Sequence, residues 1–136
     1  MAMEKITNEK FNNLSWHDAV IDKIVIDRRN PGIKDEIRIF ITWYNDTKSM
    51  LCFHNVYWAD LNMNFGVMTP EYILTAESKG KEYEQIQELY KKLNERIINI
   101  DLNYYEIETN TTASKIRIIA ETLIILSAED YKCEWH

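Results

Sequence analysis

Of all the side chains in this sequence, its three histidines are the best suited to acid–base or metal chemistry at neutral pH. His17 stands next to Asp18, just ahead of a run rich in valine and isoleucine. A histidine beside a carboxylate is a pairing that acid–base catalysis uses, but neighbours on a β-strand point to opposite faces. We therefore interpret Asp18 as a polar anchor where a strand begins, and His17 as a half-buried neighbour of Trp16.

The second histidine, His54, is separated from Cys52 by one residue, which places both on one face of a strand. Thiolate and imidazole are zinc ligands, but a zinc site needs two further ligands, and no second pair of this kind lies nearby in the sequence. Cys133 and His136 have the other metal-like spacing, within the last four residues, where chain ends fray. The sequence thus predicts no metal site and no cofactor, and it favours a structural role for His54.

A third signal is the concentration of aromatic residues along two predicted strands and the loop after them. Within 23 residues lie Trp43, Tyr44, Phe53, Tyr57, Trp58 and Phe65. Most of these should form core, but residues 50–58 are apolar on both faces, and one helix cannot cover both faces of a whole sheet. The surplus predicts a partner-binding face or a ligand pocket. The candidate binding residues are His17, Asp18, His54, Tyr57 and Trp58.

Composition limits the classes of function. The 136 residues, 46% of them hydrophobic, predict a single domain spanning residues 1–136. A net charge of -6, with only short basic groupings, disfavours nucleic acid and anionic membranes. The sequence contains no phosphate-binding, dinucleotide-binding, nucleophile-elbow or zinc-protease motif. Without an apolar span or a secretory leader, and with two cysteines, the expected location is the cytoplasm.

The elements that position these residues begin with the run at residues 20–26. Helical spacing of its apolar residues allows a helix, but its valines and isoleucines favour a strand. A β-bulge near residues 22–23 would bring four apolar residues of different parity to one face. These residues are Ala19, Ile21, Ile24 and Ile26.

The rest of the pattern predicts an antiparallel meander, a helix and a final hairpin. Residues 37–43 alternate between two turns, and residues 49–58, apolar on both faces, are typical of a central strand. Beyond them we predict a loop at 59–72, a strand at 72–78 with a helix as the alternative, a helix at about 80–97, and strands at 98–105 and 116–126. The expected fold is α+β, a mostly antiparallel sheet of five or six strands with that one main amphipathic helix packed on it.

The stretch "WHDAVIDKIVID", an alternating strand and then "LCFHNVYWADLNMNFG" resemble small uncharacterised bacterial domains. Those domains begin with an aromatic-His-Asp-Ala/Ser signature and have a later "F-x-N/D-V" strand. The resemblance covers about residues 14–66, with weaker similarity in the last hairpin. It implies a small α+β domain without enzymatic activity, in some cases an immunity-like protein, and it carries no catalytic residues to transfer.

These observations favour a non-enzymatic bacterial protein that binds a protein partner or self-associates. The resemblance implies an immunity-like role as one form of this function. The alternative is a small-ligand-binding protein or an enzyme that uses His17, Asp18 and His54 in a shared pocket. That alternative requires the three side chains to converge, because acid–base partners must come within hydrogen-bond reach.

Overall fold

The computed structural model describes residues 3–32, 34–93 and 99–127. Within these residues the chain forms seven strands and two short helices. In chain order they are β1 (Met3–Lys5), α1 (Asn8–Asn12), β2 (Val20–Asn30), β3 (Lys34–Thr42), β4 (Lys48–Asn62), β5 (Glu71–Lys79), α2 (Glu84–Lys92), β6 (Asn103–Thr109) and β7 (Lys115–Ser127).

All pairings are antiparallel, and the strand order is β1-β7-β4-β3-β2-β5-β6, with β6 also paired to β7. Because of that last pairing, the six strands from β2 to β7 close into a barrel-like ring. Strand β7 is long enough to hold two neighbours on one edge. Its first half pairs with β6, and residues near its end pair with β1. The contact that closes the ring between β2 and β5 is the narrowest, at two residue pairs.

The main core lies on the inner face of this ring. Residues from all six strands contribute to it, and α1 adds the fully buried ring of Phe11. Phe11 packs against Trp16 at 4.7 Å, and Trp16 packs against Trp43 at 5.2 Å between ring centroids. Helix α2 covers the opposite face of β6 and β7, where it buries Ile86 and Leu89 in a separate cluster. The amphipathic helix is therefore an outer cover for part of the sheet.

The predicted antiparallel sheet and covering helix are confirmed, whereas the counts and several boundaries are wrong. The described residues form seven strands rather than five or six, and two helices rather than one. Strand β1 has three residues and α1 five, too few to produce a periodic pattern. Helix α2 begins at Glu84 rather than near residue 80, because residues 81–83 form a turn. Its predicted end at 94–97 lies outside the described residues.

Two further boundaries change and two predictions hold. Strand β4 continues to Asn62, so the predicted loop at 59–72 is shorter. Strand β6 begins at Asn103, whereas its predicted start at residue 98 lies outside the described residues. Residues 72–78 belong to β5, as favoured from the sequence. The predicted bulge is also present, because the β2–β3 register shifts between Ile21 and Lys23. The shift aligns the apolar residues of β2 with the inward-facing isoleucines of β3.

Candidate functional site

Strand β4 is 15 residues long and extends well past its neighbour β3. The β3–β4 ladder ends where Glu36 pairs with His54, whereas the β4–β7 ladder continues to Asn62. Among the described strands, residues 56–62 of β4 therefore pair only on their β7 side. In an antiparallel strand, alternate backbone N–H and C=O groups point to either side. We call residues 56–62 the open edge, because half of these groups face away from β7.

The local sequence explains why β3 stops short of the open edge. The β2–β3 hairpin turns at Pro31 and Gly32, and Gly32 has a φ of 79° that other residues rarely adopt. Proline fixes its own φ and has no N–H to donate to a ladder. The hairpin therefore reverses at this point, and β3 begins at Lys34, almost opposite the centre of β4.

A cavity of about 490 Å³ lies between the end of this hairpin and the open edge. Its wall combines apolar and aromatic side chains with both basic and acidic ones, among them Ile26, Arg28, Asp35, Tyr57, Trp58 and Leu61. Ile26 is 52% exposed although it faces the same side as buried isoleucines of β3. Two of the binding residues expected from the sequence, Tyr57 and Trp58, thus line one cavity.

Backbone irregularities in β4 set the direction of these aromatic side chains. Asn55 has a φ of 53°, and its Nδ2 donates to Glu121 Oε2 at 3.1 Å. The register with β7 then shifts between Val56 and Trp58. As a result Val56 packs against the main core, whereas Trp58 packs against the α2 cluster. Val56 and Trp58 therefore face opposite sides of the sheet, although they are two residues apart.

Both aromatic side chains lie near charged residues. Trp58 lies under the guanidinium of Arg117, 5.4 Å from its ring centroid, and Arg117 donates a hydrogen bond to Asp60. That hydrogen bond raises the pKa of Arg117. Burial, and then the nearby charge of Glu121, raise the pKa of the Tyr57 hydroxyl. Arg117 thus holds Trp58 on the cavity wall, and both aromatic side chains are half-buried.

The loop after the open edge presents apolar side chains to solvent. Phe65 is 82% exposed, Val67 is 51% exposed and Met68 is fully exposed. The backbone beside them is anchored, because Asn64 N–H donates to Ser114 Oγ at 2.8 Å and Asn64 Nδ2 donates to the Thr112 carbonyl at 3.0 Å. An apolar loop held in this way is typical of a surface that contacts another molecule.

The structure places His17 and Asp18 in a turn that precedes β2, not on a strand. Asp18 has a φ of 65°, and its backbone N–H donates to the Ile73 carbonyl at 3.3 Å. His17 Nδ1 lies 3.3 Å from Asp18 Oδ2, with 75% of the histidine side chain exposed. The predictions that the two side chains diverge and that His17 is half-buried are wrong. Trp16, next to the pair, packs in the main core.

His17 and Asp18 do not meet His54. Val20, just after the pair, lies opposite Thr42, whereas His54 lies opposite Glu36. Six residues of β3 separate these positions, about 20 Å at roughly 3.3 Å per residue. The register therefore excludes the shared pocket that an enzyme using these three residues would need.

His54 instead joins a cluster with Cys52 and Glu36. Their potential ligand atoms all lie within 4.8 Å of one another, and Cys52 Sγ lies 2.6 Å from Glu36 Oε1. Cys52 and Glu36 are buried, and His54 is half-buried. Sequence reasoning missed Glu36 because it precedes Cys52 by 16 positions. The signal that finds it is the turn predicted after residue 43, which fixes the pairing of the two flanking strands.

No protein-family model matches this chain, and no curated protein sequence is significantly similar to it. Among the described residues, no helix combines the length and the apolar composition that crossing a bilayer requires. A functional proposal for this chain therefore depends on the geometry of the open edge, the cavity and the apolar loop.

Proposed function

We propose that this chain is a non-enzymatic protein-binding domain that receives an extended segment of a partner protein along the open edge. The observation that carries the proposal is the length of β4 without a described neighbour on its β3 side, residues 56–62. Unpaired backbone donors and acceptors on a sheet edge are a template for a further strand. The partner would supply that strand and complete the ladder.

The sequence of the open edge supports this interpretation. Natural edges that must stay unpaired are often protected by proline, lysine or other charges. Residues 56–62 read "VYWADLN" and contain neither proline nor lysine. Their one charged residue, Asp60, accepts a hydrogen bond from Arg117 within the sheet. The edge is therefore accessible and only weakly protected against pairing.

The cavity and the apolar loop give this edge side-chain selectivity. An added strand directs alternate side chains to one face, where the wall formed by Ile26, Val56 and Leu61 can receive them. Phe65 and Met68 continue the apolar surface past the end of β4. We therefore expect the bound segment to have apolar side chains at alternate positions. A protein partner of this kind fits the immunity-like role that the sequence resemblance implies.

The proposal is tested with displayed random peptides selected for binding to the purified chain. Enriched sequences should alternate apolar and polar residues, and they should bind more weakly to a Phe65→Ser/Met68→Ser variant. The matched control is Tyr44→Ser, because Tyr44 is 79% exposed on a different turn and should not affect binding.

A second pair of variants tests the backbone contribution. Ala59→Pro and Asp60→Pro each remove one N–H, and since neighbouring N–H groups point to opposite sides, one variant should keep the β7 ladder. The variant that stays folded by circular dichroism should lose the selected peptides. Peptides that bind it as tightly as the parent chain, or a selection without any enrichment, would contradict strand addition.

A further inference from the structure

The outer face of the β3–β4 ladder brings a carboxylate, a thiol and an imidazole together. Glu36 pairs directly with His54, and Cys52 lies two residues before His54 on the same strand. Opposite partners, and residues two apart on a strand, project to the same face. The three side chains therefore share one face, with their ligand atoms within 4.8 Å of one another.

We propose that Glu36, Cys52 and His54 bind one zinc ion. Zinc lies about 2.0–2.3 Å from oxygen, nitrogen and sulfur ligands, so a tetrahedral site separates its ligand atoms by roughly 3.3–3.8 Å. The observed spread of up to 4.8 Å and the 2.6 Å between Cys52 Sγ and Glu36 Oε1 bracket these separations.

The ligand set selects the class of metal. Calcium and magnesium prefer oxygen ligands, whereas one sulfur, one nitrogen and one oxygen suit a borderline cation such as zinc. On binding, the S–H bond of Cys52 breaks, its proton goes to solvent and the sulfur donates a lone pair to the metal. The thiolate and the Glu36 carboxylate would be the two anionic ligands of the divalent cation.

The surroundings suit a preformed site that remains accessible. Glu36 is 6% exposed and Cys52 is 2% exposed, on strands paired with neighbours on both sides at these positions. His54 is half-buried and offers a path from solvent. Three protein ligands leave one tetrahedral position for water or another ligand. The proposal is independent of strand addition along the open edge, so either can fail without the other.

The test uses the full chain, stripped with a chelator and titrated with zinc against a chromogenic chelator. One equivalent should bind, and cobalt in its place should give the charge-transfer absorption of a thiolate ligand. Cys52→Ser and His54→Gln should each lose stoichiometric binding. The control is Cys133→Ser/His136→Gln, which removes the terminal thiol and imidazole outside the described residues and should keep it.

Circular dichroism of each stripped variant separates loss of the site from loss of the fold. If Cys52→Ser fails to fold, His54→Gln carries the test, because His54 is only half-buried. Absence of zinc binding by the parent chain would overturn the proposal. So would binding that survives His54→Gln and Cys52→Ser but disappears in the Cys133→Ser/His136→Gln control.

Discussion

The two halves of β4 belong to one strand but have different surroundings. Residues 49–54, which we call the paired half, have β3 on one side and β7 on the other, whereas the open edge has only β7 among the described strands. In the paired half, Leu51 and Phe53 enter the main core, and Met50 and Cys52 enter a cluster on the opposite face. The fold alone thus accounts for its apolar residues.

The open edge leaves its aromatic residues half-buried around a cavity. A continuous apolar run predicts a strand covered on both faces, and this holds only where the neighbouring strands extend as far as the run does. The comparison therefore distinguishes apolar residues needed for folding from those available to a partner. Each of the following variants tests that distinction.

Proline should produce the largest difference between the two halves. In the paired half every backbone N–H points to a neighbouring strand, so Leu51→Pro removes a ladder bond and should abolish the folded circular dichroism spectrum. At the open edge, one of Ala59→Pro and Asp60→Pro should remain folded with a cooperative thermal transition. Loss of the fold in both would show that the edge is paired in solution.

Truncation of one aromatic residue in each half should produce the next largest difference. Phe53 is fully buried and packs 5.0 Å from the ring of Tyr105, so Phe53→Ala should lower the free energy of unfolding by about 3–5 kcal/mol. Trp58 is half-buried, and Trp58→Ala should cost only about 1 kcal/mol. Urea unfolding measures both values, and equal losses would remove the distinction between the halves.

Asn55 lies between the two halves, and its backbone conformation separates them. At a φ of 53°, a β-branched residue is strained, so Asn55→Val should lower the free energy of unfolding by about 1–3 kcal/mol. Asn55→Gly also loses the hydrogen bond to Glu121 but tolerates this φ, and it should stay within about 0.5 kcal/mol of the parent chain. The difference in the free energy of unfolding between the two variants, measured with urea, gives the cost of this backbone conformation. Equal stability of the two variants would contradict such a cost.

Alkaline pH should affect the two halves to different degrees. Burial raises the pKa of both Tyr105, which packs on Phe53, and Tyr57 at the open edge above the usual value of 10.0. A raised folded-state pKa contributes stability that is present below pH 10 and is lost as the pH rises further, because the unfolded chain ionises first. Tyr105→Phe should therefore reduce this loss more than Tyr57→Phe, measured by urea unfolding from pH 9 to 11. A larger effect of Tyr57→Phe would contradict the difference in burial.

Local patterns of parity and turn chemistry predicted much of the sheet. The change of parity between Ile21 and Ile24 located the β2 bulge, and the apolar run at 50–58 located a central strand. The closure of the ring was not predictable in this way. It depends on two residue pairs between β2 and β5, and on the pairing of β6 with β7, which also pairs with β4. These are long-range contacts, which the periodicity of apolar residues along one strand does not encode.

The candidate site was predictable only where local sequence controls it. Tyr57 and Trp58 line the cavity because they follow the end of β3, and the surplus of aromatic residues pointed to them. His17 was placed wrongly because period-two geometry was applied to residues that precede the strand. Glu36 joins Cys52 and His54 through pairing across a hairpin, which single-strand periodicity does not reveal.

Amide hydrogen exchange, resolved residue by residue by NMR on the free chain, tests the open edge most directly. Within residues 59–62, where the β7 register is regular, slowly and rapidly exchanging amides should alternate, because only every second N–H points to β7. Residues 50–53, paired on both sides, should be slow throughout. Uniformly slow exchange across residues 59–62 would mean that the edge is already occupied, and it would contradict the proposed binding of a partner strand.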